Sequence, residues 1–185
     1  MRKMTFLVSL ILLAALALGA SATLAQSDVV YVYPFVDGAT YNASLGQEIH
    51  LLWGWVATTK GLVRVYLQHS SETYTLYALS DLGNSEVWSL SNAQAEAYWG
   101  PVEVYPAEEA GVDCHKPTVA QSLWEYTLPP LEVGVYTLAF EAELSQPAND
   151  GFHTCTWLGT NDPAAPTPSL YRGKSYATST IIVGP

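Results

Sequence analysis

Two short stretches hold the residue types that metal chemistry uses. VDCHK (112–116) and NDGFHTC (149–155) together carry Cys114, His115, His153 and Cys155, with Asp113 and Asp150 beside them. Two imidazoles and a carboxylate make a ligand set for Zn²⁺ or Cu²⁺. If Cys114 and Cys155 are joined, His115 and His153 come near each other. In an extended segment, however, His115 and Cys114 point to opposite sides, whereas His153 shares a side with Cys155. Two solvent-exposed loop histidines are the simpler account. Asn149, Asp150 and Asp162 offer oxygens to Ca²⁺, but NDG and NDP are ordinary turn sequences. Both methionines, Met1 and Met4, lie in the N-terminal leader. Once the leader is removed, a copper site with an axial methionine is excluded. No cofactor is implied.

Catalytic signals are weak. Glu141 and Glu143 share a strand face. At i and i+2 their side chains stand roughly 7 Å apart, a usable spacing for a carboxylate pair. They also fall on the polar face of an alternating strand, where solvation explains them. The chain has no G-x-S-x-G elbow, no H-E-x-x-H and no phosphate-binding glycine loop. Cys114, if oxidised, is no nucleophile. The expectation is a protein that is not an enzyme.

Aromatic residues carry a stronger signal. AYWGPVEVYP places Tyr98, Trp99 and Tyr105 in a proline-punctuated connection, 92–122. Connections of that length are usually functional or disordered. Aromatic faces stack on the C–H faces of sugar rings, while Tyr and Trp keep a polar edge for hydroxyls. The competing account folds Trp99 back over one end of the domain. HLLWGWV (50–56) sets Trp53 and Trp55 on one face with Ile49 and Leu51. Such a face suits a core, and Trp55, nearer the strand end, is the better platform candidate. The speculative contact set is therefore Tyr98, Trp99, Tyr105 and Trp55.

The elements that must position these residues are strands. Runs rich in Val, Tyr, Trp, Leu and Thr alternate with Gly, Pro, Asn and Asp clusters. They predict strands at 29–34, 48–56, 62–68, 74–80, 86–91, 122–128, 133–144 and 174–183, with a hairpin loop ATTKG before the third. A short helix is expected only near 92–99. In YTLAFEAEL, Tyr136, Leu138, Phe140, Ala142 and Leu144 alternate with polar or small residues, as in a half-buried antiparallel strand. The fold class is all-β, an antiparallel sandwich of about seven to nine strands in one domain, 26–185.

The corner LPPLEVGVYTL matches L-x-x-G-x-Y-x-L and resembles the tyrosine corner of immunoglobulin-like and fibronectin-like sandwiches. The opening YPFVDGATYNASLGQEIHLLWGW is similar to the first two strands of bacterial Ig-like modules. The resemblance implies an Ig-like architecture in which the Tyr136 hydroxyl bonds back to the preceding loop. The cysteines depart from the antibody pattern, lying before the sixth and after the seventh predicted strand. The fold alone implies little about activity.

Residues 1–25 read as a signal peptide. Arg2 and Lys3 precede the apolar run Phe6–Leu18, and small residues follow, with cleavage after Ala25 or Ala22. The expected product is exported, secreted or periplasmic, with no membrane span after cleavage. In that compartment the pair Cys114 and Cys155 is expected to form a disulfide, closing a loop of about 40 residues at a gain of about 4 kcal/mol. Two free thiols are the alternative. Without Arg2 and Lys3 the chain keeps five basic residues against 17 acidic ones, a net charge of −12. That field excludes nucleic acid as a partner. What remains is a non-catalytic module binding a glycan or an extracellular protein. A structural part of an extracellular assembly and a His115/His153 metal protein are the alternatives.

Overall fold

The computed structural model describes residues 28–110, 112–113, 117–152, 156–157 and 170–185. The segment read as a signal peptide, with its expected cleavage site, and Cys114, His115, His153 and Cys155 lie outside the described residues. Nine strands form two sheets packed face to face. The first sheet has the order β1 (Val29–Val32), β3 (Glu48–Ala57), β8 (Thr118–Thr127), β6 (Glu103–Pro106). The second has the order β2 (Thr40–Ser44), β11 (Leu170–Gly184), β9 (Gly134–Asn149), β4 (Ser70–Ser80), β5 (Gly83–Leu90). A two-residue pair, β7 (Val112–Asp113) with β10 (Thr156–Trp157), stands apart.

The sandwich is mixed rather than wholly antiparallel: β1 runs parallel to β3, and β2 parallel to β11. The reason is local. Pro34 ends the first strand, and residues 34–39 carry the chain from one sheet to the other. Gly38, at φ +73°, donates its amide to the Thr178 carbonyl (2.7 Å), while the Asp37 carboxylate takes the Thr178 amide (2.8 Å). One extended stretch is thereby split between two sheets.

Two further expectations are corrected. The strand predicted at 62–68 is a helix, α1 (Lys60–His69). Thr59 caps it by accepting the Leu62 amide on its hydroxyl (3.3 Å). Val63 and Tyr66 then fall one turn apart on the buried face. Residues 92–122 are not one long loop. They hold α2 (Asn92–Ala95), 3₁₀ turns at Glu96–Tyr98 and Ala107–Ala110, β6, β7 and the start of β8. The fully buried Trp124 ties this segment down, donating its indole N–H to the Ala95 carbonyl (2.8 Å).

The main core joins Val32, Ile49, Leu51 and Trp124 of one sheet to Tyr74, Leu76, Leu138, Phe140, Ile181 and Val183 of the other. Alternation on β9 places Tyr136, Leu138, Phe140 and Ala142 inward. The Tyr136 hydroxyl donates to the Glu132 carbonyl at 2.9 Å, the bond expected at the corner.

Candidate functional site

Aromatic rings fill the half of the interior next to α1. Trp53 stands edge-to-face against Trp99 (5.2 Å), Phe140 (5.4 Å) and Tyr66 (6.1 Å). Its indole N–H donates to the Tyr74 hydroxyl at 2.8 Å. Trp55 lies flat on Tyr66, centroids 4.0 Å apart, and meets the edge of Tyr171. Trp99 turns inward against Trp53 and Tyr66. Two of the four predicted contact residues, Trp55 and Trp99, therefore share the Tyr66 ring as a common neighbour.

The other two lie elsewhere. Tyr98 is exposed and stands edge-on to Tyr126 (4.8 Å) and to Trp124 (6.2 Å). Tyr105 donates its hydroxyl to Gln121 and packs against a satellite cluster of Ala107, Val119 and Phe152. Burial pushes its phenol up to about 12. The four residues form no common flat platform. Glu141 and Glu143 are both held by Lys174, at 3.1 and 3.2 Å, which neutralises part of their charge.

A different aromatic set is presented at the surface. Tyr31 on β1, and Tyr33 and Phe35 just after it, lie at the free edge of the four-stranded sheet and are 37–50% exposed; Tyr31 faces His50, whereas Tyr33 and Phe35 turn toward Tyr41 and Trp53. Tyr33 and Phe35 meet edge-to-face at 6.3 Å, and Phe35 leans on Trp53 at 6.3 Å. The Tyr41 hydroxyl accepts the Tyr33 amide (3.2 Å) and fixes this edge to the second sheet.

Beside Tyr31 sits its cross-strand partner His50, ring centroids 5.7 Å apart. The imidazole spans two carboxylates: Nδ1 to Glu125 Oε1 (2.7 Å) and Nε2 to Glu48 Oε2 (3.2 Å). The hydrogen bond to Glu125 raises the imidazole above its ordinary value, with Glu48 adding to it. Thr127, 3.3 Å from Nε2, completes a polar patch next to Tyr31. The aromatic cluster is visible in the sequence as YVYPF, but its exposure is not. Nothing in the pattern of an edge strand says which face stays bare.

One buried group has no counterpart in the sequence reading. Glu72 is 2% exposed and accepts hydroxyl protons from Tyr74 (3.0 Å) and Tyr66 (3.4 Å). Burial pushes its carboxyl up to about 7, against the two tyrosine bonds, which favour the anion. The same burial, with the carboxylate beside them, raises both tyrosines. Among the described residues, no group of three or more His, Cys, Asp or Glu is placed to hold a metal ion. Also among them, no helix is long and apolar enough to cross a membrane. Compared with known proteins, the sequence matches no family model and none of the curated proteins.

Proposed function

We propose that this chain is an exported, non-catalytic binding module that takes an uncharged glycan along the β1 edge. The observation that carries this reading is the exposed aromatic cluster Tyr31, Tyr33 and Phe35 at this edge, with Tyr31 beside the polar set Glu48, His50, Glu125 and Thr127. Aromatic faces beside hydrogen-bonding side chains suit a sugar, whose rings have apolar faces and polar rims. The tilted geometry of Tyr33 and Phe35 suits a single soluble chain better than a flat crystalline surface. Glu48, Glu125 and the overall negative charge disfavour an acidic polysaccharide.

An immunoglobulin-like architecture accords with the Tyr136–Glu132 corner bond. A Cys114–Cys155 disulfide accords with the β7–β10 pairing, in which Asp113 and Thr156, the neighbours of the two cysteines, are cross-strand partners. Export accords with the charged and then apolar N-terminal segment.

The test is tryptophan fluorescence titrated with soluble neutral oligosaccharides. Trp53, in contact with Phe35, is the built-in reporter. A saturable shift is expected, reduced at least about tenfold in affinity by Phe35→Ala with Tyr31→Ala. No shift across the panel, or full affinity in the double variant, would remove the β1 edge as the site.

A further inference from the structure

Residues 92–98 form a short wall over the aromatic half of the interior. Both ends of this segment are anchored. Before it, buried Leu90 pairs with Tyr74 in the five-stranded sheet. After it, the Gly100 amide donates to the Leu123 carbonyl (2.7 Å), and the Gly100 carbonyl accepts the Ser122 hydroxyl (2.7 Å). Between the anchors only Ala95 is buried. Two bonds hold the segment shut. The Asn92 side-chain oxygen accepts the Glu72 backbone amide (3.0 Å), and the Ala95 carbonyl accepts the Trp124 indole N–H (2.8 Å). By contrast α1, the other cover of Glu72, buries Val63 and Tyr66 along ten residues. A segment with so little buried apolar surface is the one that opens first.

Each element around the Glu72 carboxyl contributes a group that can be named. From α1 comes the Tyr66 hydroxyl (3.4 Å), and from β4 the Tyr74 hydroxyl (3.0 Å). The turn after α2 brings a second carboxylate, Glu96, which Asn92 also holds (3.3 Å). On β9 the cross-strand partner is Ala142, and the flanking Glu141 and Glu143 are bonded to Lys174. Beyond Tyr74 lie Trp53 and Trp124, which carry no charge. None of the described ion pairs includes Glu72. A carboxylate formed here has two hydroxyl donors, no cation and one like charge. It is stabilised by reaching water. The part of its wall that yields most readily is also the part that carries the like charge.

We propose that residues 92–98 are a proton-controlled flap, shut over Glu72 while its carboxyl is protonated and released when the carboxyl ionises. The anchors at Leu90 and Gly100 let the segment swing without disturbing either sheet. Opening frees the Trp124 indole N–H, on a ring stacked against Tyr74 (4.4 Å), and bares the Glu72 carboxylate. An aromatic slot with one donor and one acceptor then faces solvent in the open form alone. The sign follows from linkage. With the carboxyl at about 7 when shut and 4.5 in water, the open fraction rises with pH between those values and levels off above about 7.

The test is hydrogen exchange of the Trp124 indole proton, followed by NMR from pH 5 to 8 and corrected for the intrinsic rate of a free indole. Its protection should fall roughly fiftyfold over that range. It should also stay at least about tenfold below that of the Leu138 amide, in the middle of β9, which reports global unfolding. Glu72→Gln should flatten the profile. Glu96→Gln, at an exposed position, should end the fall at a lower pH. Asn92→Ala should reduce the protection of Trp124 at pH 5 while sparing Leu138. A Trp124 proton that exchanges only together with the Leu138 amide would overturn the proposal, because the segment would then open only on global unfolding. So would a Glu72→Gln profile parallel to the wild type. Should that variant not fold, a Glu96→Gln profile that coincides with the wild type would overturn it equally.

Discussion

The two halves of the interior are built from different materials. Toward the chain termini the core is aliphatic: Val32, Ile49, Leu51, Leu128, Leu138, Ile181 and Val183 meet with no charged side chain between them. Toward α1 it is aromatic and carries a carboxyl: Trp53, Tyr66, Tyr74, Trp99, Trp124 and Phe140 surround Glu72. Aliphatic packing asks only for volume. Buried Trp and Tyr also ask for hydrogen-bond partners: here Trp53 finds Tyr74, Tyr74 and Tyr66 find Glu72, and Trp124 finds the Ala95 carbonyl, while the Trp55 indole N–H is buried without one. The aliphatic half stabilises the fold independently of pH, whereas the aromatic half couples packing to a proton.

The largest test removes one fully buried side chain from each half. Trp124→Ala should cost about 3–5 kcal/mol and Leu138→Ala about 2–5 kcal/mol in urea unfolding. Cost alone does not separate them, but hydrogen exchange does. Trp124 also holds Ala95, so its loss should release α2 and the Trp99 segment. Leu138→Ala should leave those amides protected until global unfolding. Equal local release in both variants would show that the halves are not distinct.

The next test targets the proton. The Glu72 carboxyl is raised from 4.5 to about 7 in the folded state. The folded protein therefore holds this proton over a pH range in which the unfolded chain has released it. The contribution is fully present below about 4.5 and is lost as pH rises through about 7, a change of up to about 3 kcal/mol. Groups facing Glu72 are Tyr66 on α1, Tyr74 on β4 and Glu96 in the turn after α2. Of these, Glu96 raises the carboxyl further. Glu72→Gln should flatten this part of the pH profile and be more stable than the wild type at pH 8. A parallel profile for variant and wild type would mean that Glu72 keeps an ordinary value.

Legibility in the sequence follows the same division. The strands predicted at 48–56, 74–80 and 133–144 overlap β3, β4 and β9, although β4 begins four residues earlier and β9 runs five residues further. The inward face of Trp53 and Trp55 follows from Ile49 and Leu51. The stretch 62–68 misleads because LVRVYLQ is dense in Val and Tyr, which favour strands. The helix signal is Thr59 as a cap with Leu62 and Tyr66 four apart, and packing against Ala57 and Ala120 settles the competition. Glu72 sits in HSSET, which reads as a solvated turn. Its burial depends on α1 and α2 closing over it, a tertiary fact with no local mark. Tyr98 and Trp99, adjacent in sequence, pack on different rings, Tyr98 on Tyr126 and Trp124, Trp99 on Trp53 and Tyr66, a divergence with no mark in the sequence.

A smaller effect tests how closely the two central strands of the first sheet approach. Gly54 stands between Trp53 and Trp55, opposite Leu123. A Cβ there would lie 2.8 Å from the Ser122 carbonyl oxygen and 2.8 Å from Leu123 Cδ2. The leucine can rotate away, but the carbonyl belongs to the neighbouring strand. Gly54→Ala should therefore cost about 1–3 kcal/mol. A glycine with open space around it, such as Gly46, offers no such clash; its strain comes from φ +85° instead. If Gly54→Ala were neutral in urea unfolding, the close approach of β3 and β8 would be wrong.

The smallest expected effect lies in the aliphatic half, at a side-chain hydrogen bond of its rim. Tyr136 packs its ring in the core and sends its hydroxyl back to the Glu132 carbonyl. Tyr136→Phe keeps the ring and deletes the bond, at about 1 kcal/mol. The loss should be independent of pH between 5 and 8, because the bond runs to an uncharged backbone carbonyl. That flatness is the point of contrast with Glu72→Gln, whose effect should grow across the same interval. The bond also sets where the β8–β9 connection turns into β9, so Val133 should shift toward solvent or become mobile in the variant. A Tyr136→Phe protein of unchanged stability would mean that Pro129, Pro130 and Gly134 form the corner unaided.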